Sequence, residues 1–343
     1  MKTNFVKLRW LFTMLLFVTT MIMPTMMLAK SIDLKIPEGD GAGTPYKIGT
    51  AEELYWFAGL VNGTLPGVKK DLSANAILTD DIIVNTGVLD PNKDLVSGND
   101  FIEWIPIGKS SSDDDAYTGT FDGNGHTISG LYFNKSNSWY VGLFGCIGAE
   151  GKISNVGVSD SYFQSSNCPY IGGVCGNNSG TIKNCYNTAS VSGQYSVGGV
   201  CGDNYEGPIT NCYYLSGTVA DGKGGIGGKD DENGKAVEMS KDRFKSGEVA
   251  WLLNGSKSVS TEESTLAWYQ KLGENADAYP VLKSTDHNTV YKAPLFSCDG
   301  TTRIGEYANK PEGDKLSHNY QMAEKADEGT SNLYSEECAI CHN

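Results

Sequence analysis

The sequence predicts an all-β solenoid built from stacked coils, and three observations carry that expectation. A glycine-framed motif recurs down the middle of the chain: Gly142-Leu143-Phe144-Gly145, Gly173-Val174-Cys175-Gly176 and Gly199-Val200-Cys201-Gly202. Each is followed by an Ile-x-Asn signature, at Ile153–Asn155, Ile182–Asn184 and Ile209–Asn211. The glycine steps are 31 and 26 residues and the asparagine steps 29 and 27. A period of that size marks a repeat architecture in which each unit buries its apolar face against the next. Such a fold is defined by shape and surface more than by a deep pocket.

The N-terminus carries a processing signal. Lys2, Lys7 and Arg9 precede an apolar run from Trp10 to Met27, with a cleavage position after Ala29. Residues 1–29 therefore read as a secretory signal peptide. The formal net charge of the 343-residue chain is −14. Loss of the three basic leader residues makes the remainder more acidic still. That balance argues against nucleic acid and anionic membrane surfaces as partners. The only expected link to a membrane is the export signal.

Residues 30–48 are glycine-rich without periodicity and read as a leader loop. Thr50 and Glu53 then form a capping box, and Leu54, Phe57, Leu60 and Val61 share one helical face until Asn62-Gly63 stops the helix. An open solenoid end exposes core, so this helix is expected as a cap. From residue 76 the pattern changes to short strands, including Ala76–Leu78, Ile82–Val84 and Ile102–Ile107. Two β-rich runs flank the turn Asp122-Gly123-Asn124-Gly125. In the repeats, Ile182 and Val191 are expected inside. Glycines are expected where φ is positive or where a Cβ has no room. Asn155, Asn184 and Asn211 are expected to hydrogen-bond from coil to coil. The domain reading is a capped solenoid over 49–234, a C-terminal capping segment with a second amphipathic helix over 235–285, and a polar tail over 286–343.

Nine cysteines are present. Cys175 and Cys201 share one repeat position, and Cys185 and Cys212 another, so buried ladders of small apolar side chains are expected in preference to disulfides.

Taken together these pieces resemble the GLUG-repeat proteins, secreted proteins of Gram-negative gut anaerobes. The likeness rests on the repeats, on Thr50–Phe57 as an opening helix, and on Leu78–Asp81. It rests also on Trp104–Gly108 with Tyr117–Ile128, and on Trp268–Gln270 with Tyr279-Pro280. It implies a right-handed parallel β-helix with short helical caps at both ends and an adhesin-like surface role. Similar repeats accompany the protease domain of immunoglobulin A proteases, but this chain has no His-Glu-x-x-His, so a zinc protease is not expected.

Candidate chemistry is sparse. His126 lies in a turn beside Asp122, and a His–Asp pair can act as a general base. Asp80 and Asp81 are paired carboxylates of the type used by β-helical polysaccharide lyases and hydrolases. Adjacent strand residues point to opposite faces, however, which weakens that pair. The reading is that these four are structural and the chain is not an enzyme. Cys338-Ala339-Ile340-Cys341-His342 has the spacing of a c-type haem attachment site. With Cys298 or His318 it also offers enough soft ligands for zinc. No folded domain is recognisable around it, so no cofactor is expected. Tyrosines concentrate in the repeats, where exposed rings can stack on sugars or contact proteins. The sequence thus points to a secreted or cell-surface binding protein engaging glycan or a host or extracellular protein. A carbohydrate-active enzyme and a stalk with a metal- or haem-binding tail are the alternatives.

Overall fold

The computed structural model describes residues 32–281, except 113, 137, 220–222, 228–235, 256–265 and 273–274, and the backbone of 293–296 and 303–307. The expected signal peptide over residues 1–29 and the candidate ligand positions Cys298, His318, Cys338, Cys341 and His342 lie outside the described residues.

The chain is a β-solenoid of about six turns. It starts with β1 (Tyr46–Ile48), α1 (Ala51–Asn62), β2 (Ala76–Leu78) and β3 (Ile82–Ile83). The first complete coil contains β4 (Thr120–Asp122), β5 (Thr127–Ser129), β6 (Tyr132–Asn134), β7 (Tyr140–Val141) and β8 (Phe144–Ile147). The second repeats this order as β9 (Lys152–Ser154), β10 (Gly157–Ser159), β11 (Tyr162–Ser165), β12 (Tyr170–Gly172) and β13 (Cys175–Asn178). The third is β14 (Thr181–Lys183), β15 (Tyr186–Asn187), β16 (Ser190–Gly193), β17 (Ser196–Gly198) and β18 (Cys201–Asn204). The last comprises β19 (Ile209–Thr210), β20 (Cys212–Leu215) and β21 (Ala236–Met239). Equivalent strands pair in parallel into five sheets: A (β1-β2-β4-β9-β14-β19), B (β21-β20-β15-β10-β5-β3), C (β16-β11-β6), D (β17-β12-β7) and E (β18-β13-β8).

Period-2 alternation turns every second side chain inward. The register stacks those side chains in columns: Ala76, Phe121, Ile153, Ile182 and Ile209 in sheet A, Phe133, Phe163 and Val191 in sheet C, and Val141, Ile171 and Val197 in sheet D. All are buried, and burying each larger aliphatic or aromatic side chain contributes about 1.5–3 kcal/mol. Cys175 and Cys201 are direct register partners. The six cysteines of the solenoid are free and buried. The repeat glycines have negative φ. What they supply is close approach: a Cβ on Gly173 would run into the Asn187 side chain, and one on Gly199 into the Tyr214 ring.

Asn155, Asn184 and Asn211 occupy left-handed backbone at φ 53°, 54° and 55°. Their amides form a chain of donors: Asn211 Nδ2 to Asn184 Oδ1 at 2.9 Å, Asn184 Nδ2 to Asn155 Oδ1 at 3.1 Å, and Asn155 Nδ2 to Asp122 Oδ1 at 3.0 Å.

The α1 capping box forms as the sequence predicts. Glu53 N donates to Thr50 Oγ1 at 3.3 Å, Gly49 N donates to Glu53 Oε2 at 2.9 Å, and Gly63 ends the helix at φ 63°. Phe57 packs edge-on to Tyr117 and tilted on Phe121, so α1 fills the N-terminal end of the interior.

Several boundaries differ from the sequence reading. The expected leader loop ends in strand β1, whose Ile48 is fully buried against β2, because Tyr46–Ile48 finds a sheet edge that no local pattern announces. Ile102–Ile107 forms isolated bridges in place of a strand. The solenoid runs past residue 234 to β21. The expected helix over 240–253 is split into α2 (Lys241–Lys245) and α3 (Glu248–Leu253) by Gly247 at φ 87°. These helices pack with Trp268 on Tyr186 and Tyr213, which point outward from sheet B, so they lie along the flank of the last coils. Tyr186 Oη donates to Pro280 O at 2.8 Å and seals that contact. The expected polar tail contains the antiparallel pair β22 (Ala293–Phe296) and β23 (Arg303–Tyr307).

Candidate functional site

The four acid–base candidates do not converge. His126 is nearly buried, and its Nδ1 lies 3.5 Å from Asp81 Oδ1. That is an ion-pair distance for a protonated imidazole and long for a hydrogen bond. Its partner is thus Asp81 from the preceding coil, while its sequence neighbour Asp122 turns to the asparagine chain, accepting from Asn155 Nδ2 and, at 2.9 Å, from Asn124 N. Asp81 also accepts from Thr127 N at 2.7 Å and Thr127 Oγ1 at 3.1 Å. Burial works to raise the Asp81 pKa, but His126 and these Thr127 donors outweigh it and hold the carboxyl below its usual range. Asp80 accepts from the Asp81 backbone N at 2.8 Å. Asp81 and Asp122 thus join turns of neighbouring coils, while the Asp80 bond stays within its own turn.

The nine repeat tyrosines divide three ways. Tyr132 stacks on Tyr162 with centroids 6.3 Å apart, and Tyr140 on Tyr170 at 5.5 Å, so these rings satisfy one another on the outer faces of sheets C and D. Tyr186, Tyr213 and Tyr214 are buried. Tyr195 and Tyr205 are exposed.

A groove of about 630 Å³ opens where the C–D corner of the first complete coil meets the 104–110 segment. Its floor is Trp104, which is fully buried and donates Nε1–H to Gly142 O at 3.0 Å. Phe133 lies beside it, and its rim carries Ile105, Trp139 and Tyr140. Trp139 is 66% exposed and Ile105 51%. The charged lining groups are Lys109 and Lys135, and no carboxylate lines the groove. Lys135 pairs with Glu103 at 2.6 Å, while Lys109 forms no ion pair among the described residues. Tyr140 Oη is fixed by a 3.0 Å hydrogen bond with Ser111 Oγ.

Sequence reasoning missed Trp139, Ile105, Lys109 and Lys135. The available signal was Ser138-Trp139-Tyr140, a tryptophan in a polar turn just ahead of β7 and so outside the strand's alternation. Among the described residues no group of three or more His, Cys, Asp and Glu side chains is arranged for a metal, and no helix is long and apolar enough to cross a membrane.

Known proteins add the following. The GLUG motif matches residues 167–192, which run from the turn before β12 into β16. Halomucin of Haloquadratum walsbyi is 39% identical over 106 residues, 31% of this chain and 1% of halomucin. A protein of Evansella cellulosilytica named as a candidate Gly-rich membrane protein is 35% identical over 82 residues, 24% of this chain and 9% of that protein. The matched stretches are therefore a small part of either relative. A solved structure named as a candidate immunoglobulin A1 protease from Bacteroides ovatus covers 71% of this chain and 93% of its own, at 16% identity and a TM-score of 0.32. A likeness that low carries no argument. The solenoid therefore carries a GLUG motif over residues 167–192, and the repeats on either side share its glycine-framed spacing.

Proposed function

We propose that this chain is a secreted or cell-surface binding protein, without catalytic activity of its own, that takes glycan in the groove beneath Trp139. The carrying observation is an exposed tryptophan set on a rigid wall beside a half-exposed tyrosine, with lysines and serines at the rim. Aromatic faces stack on the apolar face of a pyranose, and amphipathic rings with few rotatable bonds bind at low entropic cost. A β-solenoid holds that geometry because each wall residue is fixed by the register of its coil. The export signal expected over residues 1–29 and the relationship to halomucin and a protein named for the membrane support display outside the cell.

The test is incubation of the purified protein with a panel of glycans and host glycoproteins, following binding and released product together. Binding of glycan that Trp139→Ala abolishes, with no new reducing or unsaturated ends, is the expected result. Product release would overturn the non-enzymatic reading and direct mutagenesis to Asp81 and His126. Retention of host protein after its glycans are removed would overturn the glycan reading.

A further inference from the structure

The wall beside the groove repeats the Trp139 position on the next two coils. Tyr140, Tyr170 and Ser196 are register partners in sheet D, so the residues preceding them, Trp139, Pro169 and Tyr195, occupy one position on three successive coils. The backbone confirms the stacking: Tyr170 N donates to Trp139 O at 3.3 Å and Ser196 N to Pro169 O at 2.9 Å. Three ring side chains thus form a column on the C–D corner, with Trp139 and Tyr195 (55% exposed) at its ends. Adjacent coils lie about 4.8 Å apart, so the column spans about 10 Å. That coil spacing is close to the length of one sugar unit in an extended 1,4-linked polysaccharide. Next to the column runs the Tyr140–Tyr170 stack, and at its lower end the groove adds Lys109 and Lys135.

We infer that this continuous track binds an extended, carboxylate-bearing polysaccharide, a 1,4-linked uronate chain lying parallel to the solenoid axis with one sugar ring per coil. Charge selects the occupant. On a chain of net charge −14, an acidic polymer is repelled from most of the surface. The groove is lined by two lysines and no carboxylate; Lys135 is paired with Glu103, while Lys109 makes no ion pair among the described residues, although it lies near enough to Asp115 to help hold that carboxyl below its usual pKa. A uronate carboxylate gives Lys109 a direct ion pair, while the sugar faces use Trp139, Pro169 and Tyr195. The inference rests on the proposed glycan-binding function and narrows it to a class and an orientation.

The test is titration calorimetry of the full chain with oligomannuronates and oligogalacturonates of increasing length, against uncharged β-1,4-mannan oligomers as the neutral counterpart. Uronate affinity is expected to rise with length until the chain covers the three ring positions and the lysines, about four sugars at one per coil, and then to level. Trp139→Ala should weaken all lengths about ten-fold, the loss of one good aromatic contact. Tyr195→Ala should weaken long chains and leave a disaccharide unchanged. Lys109→Gln should remove the preference for uronate over mannan, and rising salt should do the same. These positions are on the surface, and unchanged circular dichroism checks the fold of each variant. Equal binding of mannan and uronate, unaffected by Lys109→Gln, would overturn the acidic class while leaving glycan binding intact. Affinity independent of length, or of Tyr195, would overturn the axial track. Absence of binding to both polymer types overturns this inference. The broader glycan panel then decides separately whether the parent reading stands.

Discussion

Asn184 is the central link of the asparagine chain, and its replacement by alanine measures what that chain contributes. Two losses combine. At φ 54° an alanine pays about 1–2 kcal/mol for left-handed backbone, a cost that asparagine offsets by local hydrogen bonding. The substitution also removes the 3.1 Å bond donated to Asn155 and the 2.9 Å bond accepted from Asn211, each worth about 0.5–1.5 kcal/mol net. Asn211 Nδ2 keeps its 3.0 Å bond to Leu253 O, so Asn155 Oδ1 is the group left short. The expected cost of Asn184→Ala is about 2–5 kcal/mol, read from urea unfolding followed by circular dichroism and tryptophan fluorescence. Asn184→Gly separates the two parts: it relieves the backbone and keeps the hydrogen-bond loss, so it should be milder than alanine by about 1 kcal/mol. A loss below about 0.5 kcal/mol for alanine would refute the claim that the chain of amides stabilises the solenoid, that being the range of neutral surface substitutions. Equal losses for glycine and alanine would refute the backbone half of the reasoning.

Three further outcomes are expected. Gly199→Ala pushes a methyl group into the buried Tyr214 ring and should cost about 1–3 kcal/mol by the same unfolding assay, as overpacking does. The solenoid thiols should be inert: burial pushes Cys168 up to about 12, and raises Cys146, Cys175 and Cys212 as well. A chain with Cys298, Cys338 and Cys341 replaced by serine should therefore give no colour with a thiol reagent at neutral pH until it is denatured. Asp81 has its pKa depressed in the folded state, so its contribution is present above the ordinary carboxylate pKa of about 3.9 and is lost as pH falls through the lower folded value. Asp81→Asn should therefore flatten the acid limb of the stability–pH curve. The effect should stay below about 1 kcal/mol because the side chain is about half exposed and screened.

The sequence by itself determined the solenoid. A glycine-framed motif and an Ile-x-Asn signature at near-constant spacing are local facts, and stacking equivalent residues is the one arrangement that buries each unit's apolar face. The α1 cap was equally legible, because Thr50, Glu53 and Gly63 act within a single turn of their own helix. What the tertiary structure alone decided concerns neighbours from different coils. Local pattern set His126 beside Asp122, and stacking gave it Asp81 instead, because residues 45 positions apart become adjacent only once the coils are in register. Strand β1 and the lateral seat of α2 and α3 on Tyr186 were hidden for the same reason. The groove was least legible of all. Trp104, Lys109, Lys135 and Trp139 come from segments with no common period, and they meet because the 104–110 segment, joined to the coils by bridges at Glu103 and Ile107, lies against the C–D corner. Repeats encode the wall, and the departures from the repeat, which follow no rule readable along the chain, shape the site on it.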